Sequence, residues 1–143
     1  MTHATSSPIW PVLHYDDTNA ALRYLVDVLG LDEIIAVPDD EGDVVHAELG
    51  WSGGGALVLG STKHTDSVHG GMRAGTSAVY LATDTVDAVD AVHARVREAG
   101  GHVAEPPHDA TFGSGAASYT FTTSDPEGNL WTFGTYRGAR ETT

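Results

Sequence analysis

The stretch that decides the fold lies near the end of the chain and reads DPEGNLWTFGTY over residues 125–136. Its opening DPEGN predicts a tight turn, because proline presets φ and the glycine at position 128 tolerates the positive φ that such turns use. The remainder, Leu130 to Tyr136, is aromatic, β-branched and alternating, which predicts a strand. We therefore expect a hairpin that leads into the last strand of the fold.

Working back from this hairpin, the second half of the chain reads β-α-β-β-β. The helix follows the capping side chains of Asp84 and Thr85, and its valines recur at helical spacing. We expect Pro106-Pro107 to end the strand before it, and we leave room for an edge strand in the loop around Phe112. The strands are predicted at residues 77–83, 102–104, 118–123 and 130–136.

The same order of elements occurs once before. A helix predicted after Asp16 and Asp17 ends at Gly30, and strands are predicted at residues 9–15, 33–37, 44–51 and 56–59. We divide the chain into a first βαβββ module at 8–60, a linker at 61–76 and a second module at 77–137, as one domain overall. The predicted fold class is α+β: the modules form a cleft-bearing, partly open mixed β-sheet barrel with the helices outside.

Composition and charge narrow the functions that the chain can have. The 143 residues include no cysteine, which excludes disulfides, Cys-ligated zinc, iron–sulfur clusters and a cysteine nucleophile. A formal net charge of −13 disfavours nucleic acid and anionic membranes as partners, so we expect a small molecule. No targeting segment and no apolar run of about 20 residues is present, and we expect a cytoplasmic protein.

Two stretches resemble the vicinal oxygen chelate superfamily, the fold of glyoxalase I, extradiol dioxygenases, fosfomycin-resistance enzymes and bleomycin-resistance proteins. The first is PVLHYDD at residues 11–17, with AAL at 20–22 and LGL at 29–31, and the second is DPEGNLWTFGTY at 125–136. The resemblance runs from about residue 9 to 137. It implies the two-module fold, a homodimer, and in the family's enzymes a divalent metal held by His, Glu or Gln side chains.

The four metal positions of the family, on the first, fourth, fifth and eighth strands, can be carried over one by one. They fall at Trp10, within residues 56–59, at Ser77 or Ala78, and at Thr132. None of these positions has the expected donor. The resemblance is therefore to the metal-free, bleomycin-resistance-like branch, which implies sequestration of a drug, as in antibiotic self-resistance, without a cofactor.

The histidines leave a second hypothesis open. His46 and Glu48 are two residues apart on one strand and so point to the same face, as His14 does with Trp10. If His14, His46 and Glu48 converged, they would suit Zn, Fe or Mn and a lyase, isomerase or dioxygenase reaction. A third hypothesis is acid–base catalysis without metal by His14 or Glu48.

The leading hypothesis is a ligand-binding cleft lined by rings and small residues, which suits an aromatic and possibly cationic natural product. On the last strand, Trp131 and Phe133 are expected to face the core instead. The predicted ligand-binding residues are Trp10, His14, His46, Trp51, Tyr80, Phe112, Thr132 and Tyr136.

Overall fold

The computed structural model describes residues 7–64, 66–111 and 115–139. The chain divides into two units: the first runs to Ser77 and includes residues 126–129, and the second holds the remainder. The elements, in order, are β1 (Val12–Tyr15), α1 (Thr18–Asp27), β2 (Asp32–Pro38), β3 (Val44–Gly50), β4 (Ala56–Ser61), a 3-10 helix (Val68–Gly71), β5 (Ala78–Ala82), α2 (Val86–Glu98), β6 (His102–Thr111), β7 (Ala117–Ser124) and β8 (Leu130–Gly134).

The first unit is a four-stranded mixed sheet in the order β1-β4-β3-β2, with β1 parallel to β4. Helix α1 begins where the Asp17 side chain accepts the Ala20 N–H, as the capping residues predict. On the sheet face that packs beneath this helix, Leu13 pairs with Leu59, and both are buried. The opposite face carries the next residue of each strand, because successive side chains alternate.

The second unit repeats this plan in the order β5-β8-β7-β6. Helix α2 buries Val89, Val92 and Val96, and the core of the unit contains Trp131 and Phe133, both fully buried as the alternation of β8 predicts. The fold class is confirmed: the chain is α+β, with two helices, two four-stranded mixed sheets and the order βαβββ twice in its described residues.

One strand is longer than the sequence predicts. We expected Pro106-Pro107 to end a strand at residue 104, but β6 runs from His102 to Thr111. The prediction was wrong because β6 is an edge strand, and its pairing with β7 is irregular between Glu105 and His108. Proline is tolerated at an edge or a bulge, where its missing N–H is not needed.

Other boundaries shift by a few residues. Strand β1 begins at Val12, β8 ends at Gly134, and β4 continues to Ser61, the first residue of the predicted linker. That linker also contains the 3-10 helix. The division into modules and the cleft between their faces stay predictions. Among the described residues, no helix has the length and apolar character needed to cross a membrane.

The DPEGN turn joins β7 to β8, and Gly128 has the predicted positive φ, 102°. The Glu127 carboxylate accepts the backbone N–H groups of Asp16 and Asp17, at 2.7 and 2.9 Å. The buried Asn129 accepts the Ser77 N–H at 3.0 Å. These bonds fix the entry to α1 and the start of β5, so the motif is structural.

Candidate functional site

The candidate site is a groove of about 510 Å³ in the first unit. It lies on the sheet face opposite α1 and is bounded by β1, β3, β4 and described residues that follow β4, namely His64, Asp66, Ser67 and His69. The residues that line it include three valines, Val12, Val45 and Val58, and four histidines, His14, His46, His64 and His69. Of the predicted ligand-binding residues, His14 and His46 therefore line one groove.

Strand register brings the middle of the groove together. His14 on β1 pairs with Gly60 on β4, and Gly60 pairs in turn with His46 on β3. A Cβ added to Gly60 would lie 3.2 Å from His14 Cδ2 and 3.3 Å from His14 Nε2. The His14 ring therefore lies against bare backbone at position 60, and a side chain there would displace it by a few tenths of an ångström.

The His14 side chain is buried, with 8% of its surface exposed. Its pKa is lowered from 6.5, first by this burial and second by the charge of His69. The two rings are in contact, with centroids 5.3 Å apart. His14 is therefore a neutral imidazole at pH 7, and its ring nitrogens make no hydrogen bond to any described residue.

On β3, which β4 separates from β1, His46 Nε2 lies 2.9 Å from Glu48 Oε2. The predicted ligand set of His14, His46 and Glu48 is not assembled, since their donor atoms do not all lie within 4.8 Å of one another.

In the part of the chain that the structure describes, one set of three such side chains does meet this distance: Asp39, Asp43 and His64. His64 Nε2 lies 3.4 Å from Asp39 Oδ2 and 3.7 Å from Asp43 Oδ2, and Lys63 Nζ lies 3.7 Å from the other Asp43 oxygen. Backbone N–H groups of Asp43 and Glu41 lower the pKa of Asp39. With a lysine already beside it, the set is an ion-pair cluster at the edge of the groove.

The metal of the family's enzymes does not fit the residues present. The Trp10 indole N–H donates to the Ser7 carbonyl at 2.5 Å, and Thr132 Oγ1 shares a hydrogen bond of 2.8 Å with Thr122 Oγ1. Strand β4 contributes Val58, Leu59, Gly60 and Ser61 to the groove. Of these only Ser61 has a side-chain donor atom, and its hydroxyl donates to Asp43 Oδ2 at 3.4 Å.

The other predicted residues lie elsewhere in their units. Trp51 follows β3, where its N–H donates to the Gly55 carbonyl. In the second unit, the Tyr80 hydroxyl donates to the Tyr136 carbonyl at 2.6 Å, and burial raises the pKa of that hydroxyl. Phe112 lies outside the described residues.

The sequence prediction missed Val58, Gly60 and His69, which also line the groove. Alternation along β4 could have placed the first two on one face. No local pattern marks His69, which was assigned to the linker.

Comparison with known proteins gives one family match. A family model described as Glyoxalase/Bleomycin resistance protein/Dioxygenase superfamily matches residues 7–133. No curated protein matches the chain.

Solved structures share the fold. TioX from Micromonospora sp. ML1 is 26% identical with a TM-score of 0.70, covering 90% of this chain and 99% of that one. TnmS3, an antibiotic binding protein from Streptomyces sp. CB03234, is 24% identical with a TM-score of 0.64, covering 93% and 94%. Lactoylglutathione lyase from Agrobacterium tumefaciens is 22% identical with a TM-score of 0.65, covering 90% and 92%. Matches at such low identity establish the architecture alone, and they include both a binder and an enzyme.

Proposed function

The chain belongs to the glyoxalase/bleomycin resistance protein/dioxygenase superfamily, and on that premise we propose that it is a small-molecule-binding protein that works without a metal. It sequesters an aromatic or cationic natural product or drug. The observation that carries the proposal is the groove of about 510 Å³ on the open face of the first sheet. Pockets of about 300–1,000 Å³ hold drug-sized ligands.

The chemistry of the groove supports an aromatic ligand. Valine side chains and imidazole rings provide flat, weakly polar surfaces against which a ring system can pack. The net charge of −13 and the groove residue Asp66 favour a ligand that is neutral or positively charged over an anion. The absence of donors at the family's four metal positions supports binding over metal-dependent turnover, and the antibiotic-binding description of TnmS3 is consistent with this choice.

Calorimetric titration with a panel of aromatic antibiotics tests the proposal, with each antibiotic then recovered and analysed by mass spectrometry. We expect saturable binding that is unchanged by a chelator, and recovery of the ligand intact. Val12 lines the groove and is 40% exposed, so Val12→Trp should fill it and weaken binding at least about tenfold. Val86→Trp, at a position 45% exposed on α2, is the matched control and should bind normally.

A native mass spectrum of the freshly purified protein reads its metal content, retained ligand and subunit count together. One divalent metal per chain that a chelator removes would contradict the proposal. We also propose that the protein is a cytoplasmic homodimer, and a monomer in this spectrum would refute the proposed dimer.

Catalysis without a metal is the second candidate, and His14 is the observation that favours it. A buried, neutral imidazole open to a groove can take a proton from a bound substrate. Recovery of a chemically altered antibiotic, with turnover that survives chelation and is lost in His14→Gln, would establish this candidate in place of simple binding.

A further inference from the structure

The His14 imidazole poses a question that a general binding groove does not answer. It is buried, and yet neither ring nitrogen has a hydrogen-bond partner among the described residues. Neither nitrogen is sealed from solvent: among the described side chains, the buried polar atoms left without a partner do not include them. A ligand that fills the groove displaces the water that can reach these nitrogens, so the ligand itself must supply the hydrogen bond to the ring.

The surroundings of His14 determine the chemistry of that partner. Among the described residues, those that line the groove include Asp66 and no lysine or arginine, and Lys63 at the edge of the groove is paired with Asp43, so an anionic ligand would find no unpaired permanent positive charge there. His14 itself is neutral and offers one nitrogen as an acceptor. The other ring nitrogen of a neutral imidazole is an N–H donor. For the acceptor nitrogen, the matching ligand group is an uncharged and strong hydrogen-bond donor.

We propose that the groove takes an aromatic ligand that bears an acidic hydroxyl, a phenol or an enol, and that this hydroxyl donates its hydrogen bond to His14. The inference rests on the proposed function and adds the functional group that the ligand must carry. The His69 ring against one side of His14 and the bare backbone of Gly60 beneath it hold the acceptor in place.

Two small probes separate the hydroxyl from the ring system: 2-naphthol, and 2-methoxynaphthalene, in which the hydroxyl hydrogen is replaced by a methyl group. We expect the protein to bind 2-naphthol at least about tenfold more tightly at pH 7.5, because the ether leaves the imidazole unpaired. The variant His14→Phe keeps a ring but loses the acceptor. It should lower the affinity for 2-naphthol by about tenfold and leave that for the ether unchanged.

Two further measurements keep the test sharp. His102→Phe makes the same exchange at an exposed residue that does not line the groove, and should bind both probes as the natural protein does. In the unaltered protein, the ¹⁵N resonances of the His14 ring should shift with 2-naphthol and not with the ether, which requires no variant to fold.

The outcomes distinguish the two proposals. Equal affinity for both probes, or unmoved His14 resonances at saturation with 2-naphthol, would overturn the inference while leaving a groove that binds aromatic molecules. Failure of both probes to bind, together with failure of the antibiotic panel, would overturn the proposed function as well.

Discussion

Replacing Gly60 with alanine tests the arrangement at the centre of the groove. The new Cβ would lie 3.2 Å from His14 Cδ2, closer than the 3.4–4 Å of ordinary van der Waals contact, so the ring must move by a few tenths of an ångström. Overpacking of this kind costs about 1–3 kcal/mol. Replacing glycine also reduces the conformational entropy of the unfolded chain, which stabilises the folded protein by about 0.5–1 kcal/mol. We expect a net destabilisation of about 1 kcal/mol, or a Tm lower by about 4 °C for a chain of this size.

Gly71→Ala is the matched control for this change. Nothing lies within 4 Å of a Cβ at position 71, and its φ is not in the left-handed region. The control should therefore be neutral or more stable by about 0.5 kcal/mol. Urea unfolding measures both free energies, and NMR titration of the imidazole carbons measures the pKa of His14.

In Gly60→Ala the ring is pushed away from the sheet, so the pKa of His14 should rise toward its ordinary value of 6.5. If Gly60→Ala and Gly71→Ala have the same free energy of unfolding and the chemical shifts of the His14 ring do not change, the position of the His14 ring over β4 is wrong.

Three further predictions concern the fold and its response to pH. Glu127→Ala removes the acceptor of two backbone N–H groups and should lower the free energy of unfolding in urea by about 1–2 kcal/mol, whereas Glu41→Ala, in an exposed turn, should leave it unchanged. Trp131→Phe removes part of a fully buried side chain and its 3.0 Å hydrogen bond to Asp125, and should lower the free energy of unfolding by about 2–4 kcal/mol. The same change at the half-buried Trp10 should lower it by less than about 1 kcal/mol. Equal losses of Tm in the two variants would contradict the assignment of Trp131 to the core. Because the pKa of His14 is lowered on folding, the unfolded chain binds its proton first, so stability should fall as the pH drops below about 6.5. Other groups that can titrate also line the groove, namely His46, His64, His69 and Asp66. The test therefore compares the pH dependence of the unfolding free energy in the natural protein and in His14→Gln, which should show the smaller dependence in this range.

Several features of the fold could be predicted because their causes are local. Proline and glycine in DPEGN specify a turn wherever they occur, and Asp17 and Gly30 mark the ends of α1 through their own side chain and φ. Alternation along β8 separates the buried Trp131 from Thr132 without any knowledge of what covers the strand. The edge position of β6 has no such local signature, and for that reason Pro106-Pro107 was taken for the end of the strand.

The candidate site depended on contacts between distant parts of the chain. Alternation placed His46 and Glu48 on one face, and their hydrogen bond agrees with it. His14 lies across Gly60 because β1 pairs with a strand that follows it by more than 40 residues. His69 contacts His14 because the 3-10 helix packs beside it. Neither the register of a parallel pair nor the position of such a segment is encoded in neighbouring residues.

By itself, the sequence determined the order of elements, the faces of the strands and the acidic charge, because each follows from residue type and short-range spacing. The tertiary structure alone decided which imidazoles share one groove, that the metal set of His14, His46 and Glu48 is not assembled, and that burial lowers the pKa of His14. The reason is physical: burial, strand register and the distances between side chains arise only when segments far apart in the chain pack together.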